Sequence, residues 1–164
     1  MRQLDLKLRD QTMIGAGTHK PPENIVIVAM DDATEQAIPS PRILWHPQYA
    51  ALMRAMARGG AKAAAFDLFL AISVEQWAPD YDRQIAEAFA EASATSPMVM
   101  AYETSMGIPE QLPLYLLANA QQQIGYANIT LDADGFVRRQ QLVSNDGAAE
   151  SLAARLFALS NGQA

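Results

Sequence analysis

AAAFDLF, at Ala63–Phe69, is an apolar run broken by a single aspartate. It reads as a buried β-strand. Burial of an unpaired carboxylate costs several kcal/mol, so Asp67 is expected to have a partner, Arg42 or another cation. Just upstream, Tyr49, Leu52, Met53, Met56 and Ala57 recur at helical spacing, with Arg54 and Arg58 on the other side. Pro47 suits the first turn of that helix and Gly59-Gly60 its end.

Working outward, the alternation continues in both directions. IVIVAM at Ile25–Met30 has the pattern of a strand covered on both faces. A helix is expected over 3–14, where Leu4 and Leu8 share a side, with Gly15 and Gly17 ending it. Between Asp31-Asp32 and Pro47 lies a loop studded with Pro39 and Pro41. Downstream, Pro79-Asp80 opens a helix with Tyr81, Ile85, Ala88, Phe89 and Ala92 inward and Asp82, Glu87 and Glu91 outward. Met98–Tyr102 is a further strand, and Pro113 starts a helix running to about Gln122. Ile124–Leu131 and Phe136–Val143 read as strands of a hairpin around Asp132-Ala133-Asp134-Gly135. After a turn at Ser144–Gly147, Leu152, Ala153, Leu156 and Phe157 mark a last helix.

The order α-βαβαβα-ββ-α implies right-handed crossovers. The expected fold is an α/β three-layer sandwich: a mainly parallel sheet, helices on both faces and a C-terminal antiparallel hairpin. With neither repeat nor linker, residues 1–164 are expected to form a single domain.

Composition narrows the function. The chain has 12 basic and 18 acidic residues, a net charge of −6, and no basic stripe, so nucleic acid is not an expected partner. The absence of cysteine removes disulfides, thiolate–zinc sites and thiol nucleophiles. The longest uncharged run, Gln111–Leu131, is too polar to span a bilayer, and the charged N-terminus is unlike a signal peptide. GxSxG, GxxxxGK[ST] and GxGxxG motifs are absent. No catalytic residue, metal or cofactor is therefore expected.

In open α/β sheets ligands bind beyond the carboxyl ends of the strands. Asp31, Asp32, Asp67, Glu103, Asp132 and Asp134 all fall at such ends, and the loop holding Arg42, Trp45 and His46 can fold over the same rim. The candidate ligand-binding residues are Asp32, Arg42, Trp45, Asp67, Asn128, Asp134 and Arg138. His46 is expected as a helix-start or solvent-facing residue rather than a catalytic one. Two alternatives remain. The first is a metal-dependent hydrolase using Asp31, Asp32 and Asp67 to hold Mg²⁺; the second is a dimerisation scaffold that senses nothing.

Three segments in order carry a family resemblance: NIVIVAMDDAT (Asn24–Thr34), leading through Pro41-Arg42 and Trp45-His46-Pro47; GAKAAAFDLF (Gly60–Phe69); and GYANITLDADGFVRR (Gly125–Arg139), with SLAARL (Ser151–Leu156) after it. Together they resemble the type-2 CHASE sensory domain over about residues 5–160. Thr34 stands where that pattern usually has serine, and Ile38–Arg42 replaces much of a Gly–Arg–Trp–Pro–Trp-like stretch. The resemblance implies a non-catalytic extracytoplasmic domain, periplasmic or extracellular, trimmed from a bacterial inner-membrane receptor. It implies an unidentified small-molecule ligand and flanking membrane helices. A histidine kinase, nucleotide cyclase, diguanylate cyclase or protein kinase would lie beyond them. Homodimerisation through the terminal helices is the expected self-association.

Overall fold

The first elements of the chain are helices with local causes. The computed structural model describes residues 2–144 and 147–163, which form two compact units, 1–39 and 40–164. In the first, α1 spans Arg2–Ala16, passing through Gly15 and stopping at Gly17, whose φ of +72° is left-handed. A short helix, α2 (Asp32–Ala37), occupies part of the expected loop. Its cause is local: the Asp31 carboxylate accepts from the Thr34 amide at 2.9 Å, and Thr34 Oγ1 faces the Asp31 amide in return, a capping box.

Ile25–Met30 is not a strand. Its side chains are open to solvent, Val26 at 83 % and Ile27 at 85 % exposure. The reason is that β propensity does not make a strand; a ladder partner does. Among the described residues, this unit contains helices and no strand to pair with.

The second unit holds the sheet. A 3₁₀ turn at Arg42–Leu44 leads into α3, His46–Arg58, with Pro47 in its first turn and Gly59 at its C-cap. Tyr49, Ala50 and Met53 form its buried stripe. Then follow β1 (Ala64–Phe66), α4 (Tyr81–Ser93), β2 (Met98–Tyr102), α5 (Pro113–Ala120), β3 (Ile124–Tyr126) and α6 (Leu152–Ser160). The strands lie in the order β1-β2-β3, all parallel, with Phe66 beside Met100 and Tyr102 beside Tyr126. β2 is buried at all five positions, as a central strand covered on both faces must be.

Packing centres on α3 against α4, and on α4 and α5 against β2; α6 reaches all three strands. Tyr115 of α5 is fully buried, and its hydroxyl donates to the Ala101 carbonyl at 2.8 Å while accepting from the Leu70 amide at 3.2 Å. One phenol thus ties the chain beyond β1 to β2. Desolvation pushes its pKa up to about 12. At Gly125 the backbone of α6 comes so close that a Cβ would lie 2.6 Å from Leu152 Cα.

The expected hairpin is present only at its tip. The Gly135 amide bonds the Asp132 carbonyl, and the Asp132 amide bonds the Phe136 carbonyl, both at 2.9 Å. Beyond that, 127–131 and 137–142 form no strands. The outer edge of β3 is taken by Glu150-Ser151 instead: the Tyr126 amide donates to Glu150, and Tyr126 bridges Ser151 in parallel. Around the following turn, the Gly147 amide meets the Ser144 carbonyl at 2.9 Å; residues 145 and 146, expected within that turn, lie outside the described residues.

Candidate functional site

Parallel register brings the carboxyl ends of the three strands to one side of the sheet. β1 ends at Phe66, so Asp67 is the next residue; β2 ends at Tyr102, so Glu103 is the next. Asn128 lies two residues past β3. Asn128 Nδ2 donates to Glu103 Oε1 at 2.7 Å, and the Thr104 amide donates to Asn128 Oδ1 at 3.0 Å. Ser105 donates to Glu103 from both its hydroxyl and its amide. These donors hold the Glu103 carboxyl below the usual glutamate range, the Ser105 hydroxyl contributing most.

Asp67 corrects the expectation of a buried, paired carboxylate. The strand stops one residue before it, so its side chain is exposed and forms no hydrogen bond or ion pair, with Arg42 or any other cation, among the described residues. An exposed carboxylate keeps its hydration and needs no counter-ion.

The acids of the 132–135 turn are engaged by Arg138 and Arg139. Arg138 grips Asp134 through two parallel bonds of 2.8 Å, reaches Asp132 at 3.2 Å, and lies 5.2 Å from the centre of the Phe136 ring. Arg139 also bonds Asp132. Both carboxyls are held below the usual aspartate range, Asp132 chiefly by Arg139 and Asp134 chiefly by Arg138.

Other candidates play different parts. Arg42 is exposed at the start of the 3₁₀ turn. Trp45 is buried and its indole N–H donates to the Ser40 carbonyl at 2.8 Å, so it pins the loop to the core ahead of α3. Asp32 is the exposed first residue of α2, in the first unit, and Asp31 is spent on its cap. Among the described residues no group of three or more histidines, aspartates or glutamates could hold a metal.

One pair escaped the sequence reading. His46 and Asp82 are 3 % and 5 % exposed, with Nε2 and Oδ1 3.4 Å apart. Asp82 is not on the outer face of α4, because it lies on the same stripe as Ile85, Ala86 and Phe89. That spacing of three, four and seven residues was the available signal. The Val74 amide also donates to Asp82 Oδ1, at 3.3 Å. Burial depresses the pKa of His46, with Asp82 and the Ile43 carbonyl opposing it.

Against known families, the chain matches the CHASE2 domain over residues 1–164. It belongs to the CHASE2 family. No curated protein and no solved structure matches it. CHASE2 domains are extracellular, sensory and non-catalytic, and are found in receptors. Among the described residues of this CHASE2 chain, no helix is long and apolar enough to cross a membrane.

Proposed function

We propose that this CHASE2 domain is the extracytoplasmic signal-sensing part of a bacterial transmembrane receptor. A small ligand binds at the carboxyl ends of β1, β2 and β3, and flanking membrane helices carry the signal to a kinase or cyclase. The reading rests on one observation above all: Asp67, Glu103 and Asn128 follow three adjacent parallel strands. Asp67 is the carboxylate there with no competing partner among the described residues. A ligand carrying an ammonium or hydroxyl groups suits such a rim. Arg42, Asp134 and Arg138 are proposed to bind at its margin; the last two must exchange their mutual bonds for the ligand.

Covered faces on β2 support the helix–sheet–helix layering expected of the complete domain. Exposed Leu4 and Leu8 on α1 support self-association through that helix.

The test is amide-shift mapping by NMR with a panel of amino acids, polyols and amines. Shifts centred on Asp67, Glu103 and Asn128, lost in Asp67→Ala, are the expected result. A ligand that maps elsewhere and binds Asp67→Ala unchanged refutes the site.

A further inference from the structure

Away from the strand-end rim, the second unit holds a titratable pair that no ligand reading uses. His46 opens α3 and Asp82 lies in the first turn of α4. Both are almost fully enclosed, beside a cavity of about 10 Å³ lined by Leu70, Ile85, Leu112, Pro113 and Leu114. That is room for about one water.

His46 Nε2 faces the carboxylate and, among the described residues, Nδ1 has no hydrogen-bond partner. The arrangement fits the neutral tautomer with its proton on Nε2, leaving the Nδ1 lone pair buried, with the Ile43 carbonyl as the group that favours a proton there. A partnerless buried nitrogen is costly, and it is the one place on the ring where a proton can add. Asp82 Oδ1 is shared between His46 at 3.4 Å and the Val74 amide at 3.3 Å, both long. An acceptor stretched between two donors shifts toward whichever gains charge.

We propose that His46 and Asp82 form an acid-responsive latch. Proton uptake at Nδ1 turns the ring into a cation, draws Asp82 toward it and releases the Val74 amide. The segment 74–78, held at that amide, then loosens from the starts of α3 and α4, while Leu70 stays tied to Tyr115. The proton adds to the lone pair and nothing leaves, so the pair gains one unit of positive charge in an almost fully enclosed site.

The surroundings leave Asp82 as the charged group acting on the ring. From α4, Tyr81 places its ring centre 6.4 Å away, while exposed Asp80 and Arg83 bond each other. From the 3₁₀ turn, the charge of Arg42 acts on Tyr49. Glu75 is exposed. On the side of α5 the lining is apolar: Glu110 bonds Asn119, and the Tyr115 hydroxyl is engaged with Ala101 and Leu70. Desolvation outweighs Asp82, so the folded pKa lies below the unfolded value of about 6.5. The folded state therefore binds fewer protons; stability is level above about pH 6.5 and falls as pH drops from there to the folded pKa.

The inference stands apart from the ligand site, and its test uses the proton alone. The His46 ring signals are followed by NMR from about pH 7.5 to about pH 5, with His19→Gln assigning the two histidines. Thermal unfolding over the same range compares the native chain with His46→Gln and Asp82→Asn. Expected are a His46 titration below that of a free imidazole, Val74 and Ile43 amide shifts with the same midpoint, and an acid loss of stability largely abolished in His46→Gln. If His46→Gln does not fold, the ring and amide titrations of the native chain decide alone. A ring that titrates like a free histidine, or Val74 amide shifts that do not follow it, overturns the latch. So does a folded His46→Gln that keeps the full acid dependence.

Discussion

Replacing Gly125 by alanine should loosen the seam between β3 and the last helix. The added Cβ would lie 2.6 Å from Leu152 Cα and 2.8 Å from the Leu152 amide nitrogen. Both are backbone atoms and cannot rotate away. Ordinary contact begins near 3.4 Å, so the start of α6 must retreat by roughly 1 Å, about the span between clash and contact. That retreat stretches the bond from the Tyr126 amide to the Glu150 carbonyl, now 3.0 Å, past useful range. Overpacking of this kind costs about 1–3 kcal/mol, or roughly 3–12 °C in Tm for a unit of this size. The assay is thermal unfolding followed by circular dichroism. Gly15→Ala is the control: it lies in α1 with nothing within 4 Å, and removing a helix-interior glycine should leave stability unchanged or raise it by about 0.5–1 kcal/mol. A Gly125→Ala variant that melts with or above the native chain would refute the close approach.

Two further outcomes can be measured on the same material. Tyr115→Phe should lower stability by about 1–3 kcal/mol in urea unfolding, because the Ala101 carbonyl and Leu70 amide lose their partner inside the core; an unchanged midpoint would show that water replaces the hydroxyl. Asp132 and Asp134 have carboxyl pKa values held below the ordinary range by Arg139 and Arg138. Their contribution to stability is therefore present above about pH 4 and is lost as pH falls through the folded values. Arg138→Gln should lower stability near neutrality, where that contribution is present, and leave a shallower acid limb carried by Arg139 and Asp132, read from unfolding midpoints between neutral and acidic pH.

Local chemistry explains what was legible in advance. Met98–Tyr102 forms the expected strand because its five residues are buried all round, so an unbroken apolar run is unambiguous. Pro47 and Pro113 begin helices where their missing N–H costs nothing. Asp67 was misplaced by one residue of strand length: with β1 ending at Phe66, the side chain faces water rather than the core. Asp82 was misplaced because charge outweighed spacing in the reading of α4, although its position on the Ile85–Phe89 stripe marked it as inward. Asp134 and Arg138 were both legible as polar candidates; their bidentate bond was not, since it depends on how the turn folds back.

The amino-acid order by itself determined the helix stripes, their proline starts and glycine ends, the central strand with Glu103 just after it, and the membership of the CHASE2 family. All of these depend on neighbours within a few residues or on the order of short segments. Among the described residues Asp31 and Asp32 follow no strand, and Asp132 and Asp134 lie in a turn beyond β3. Tertiary structure alone decided which of the other apolar runs became strands. Ile25–Met30 and Phe136–Val143 have β-rich composition, but a strand exists only when another backbone satisfies its amides and carbonyls. Glu150-Ser151, far along the chain, took the edge beside Tyr126. The same long-range folding buried His46 against Asp82, a pair that forms only where the starts of two helices meet.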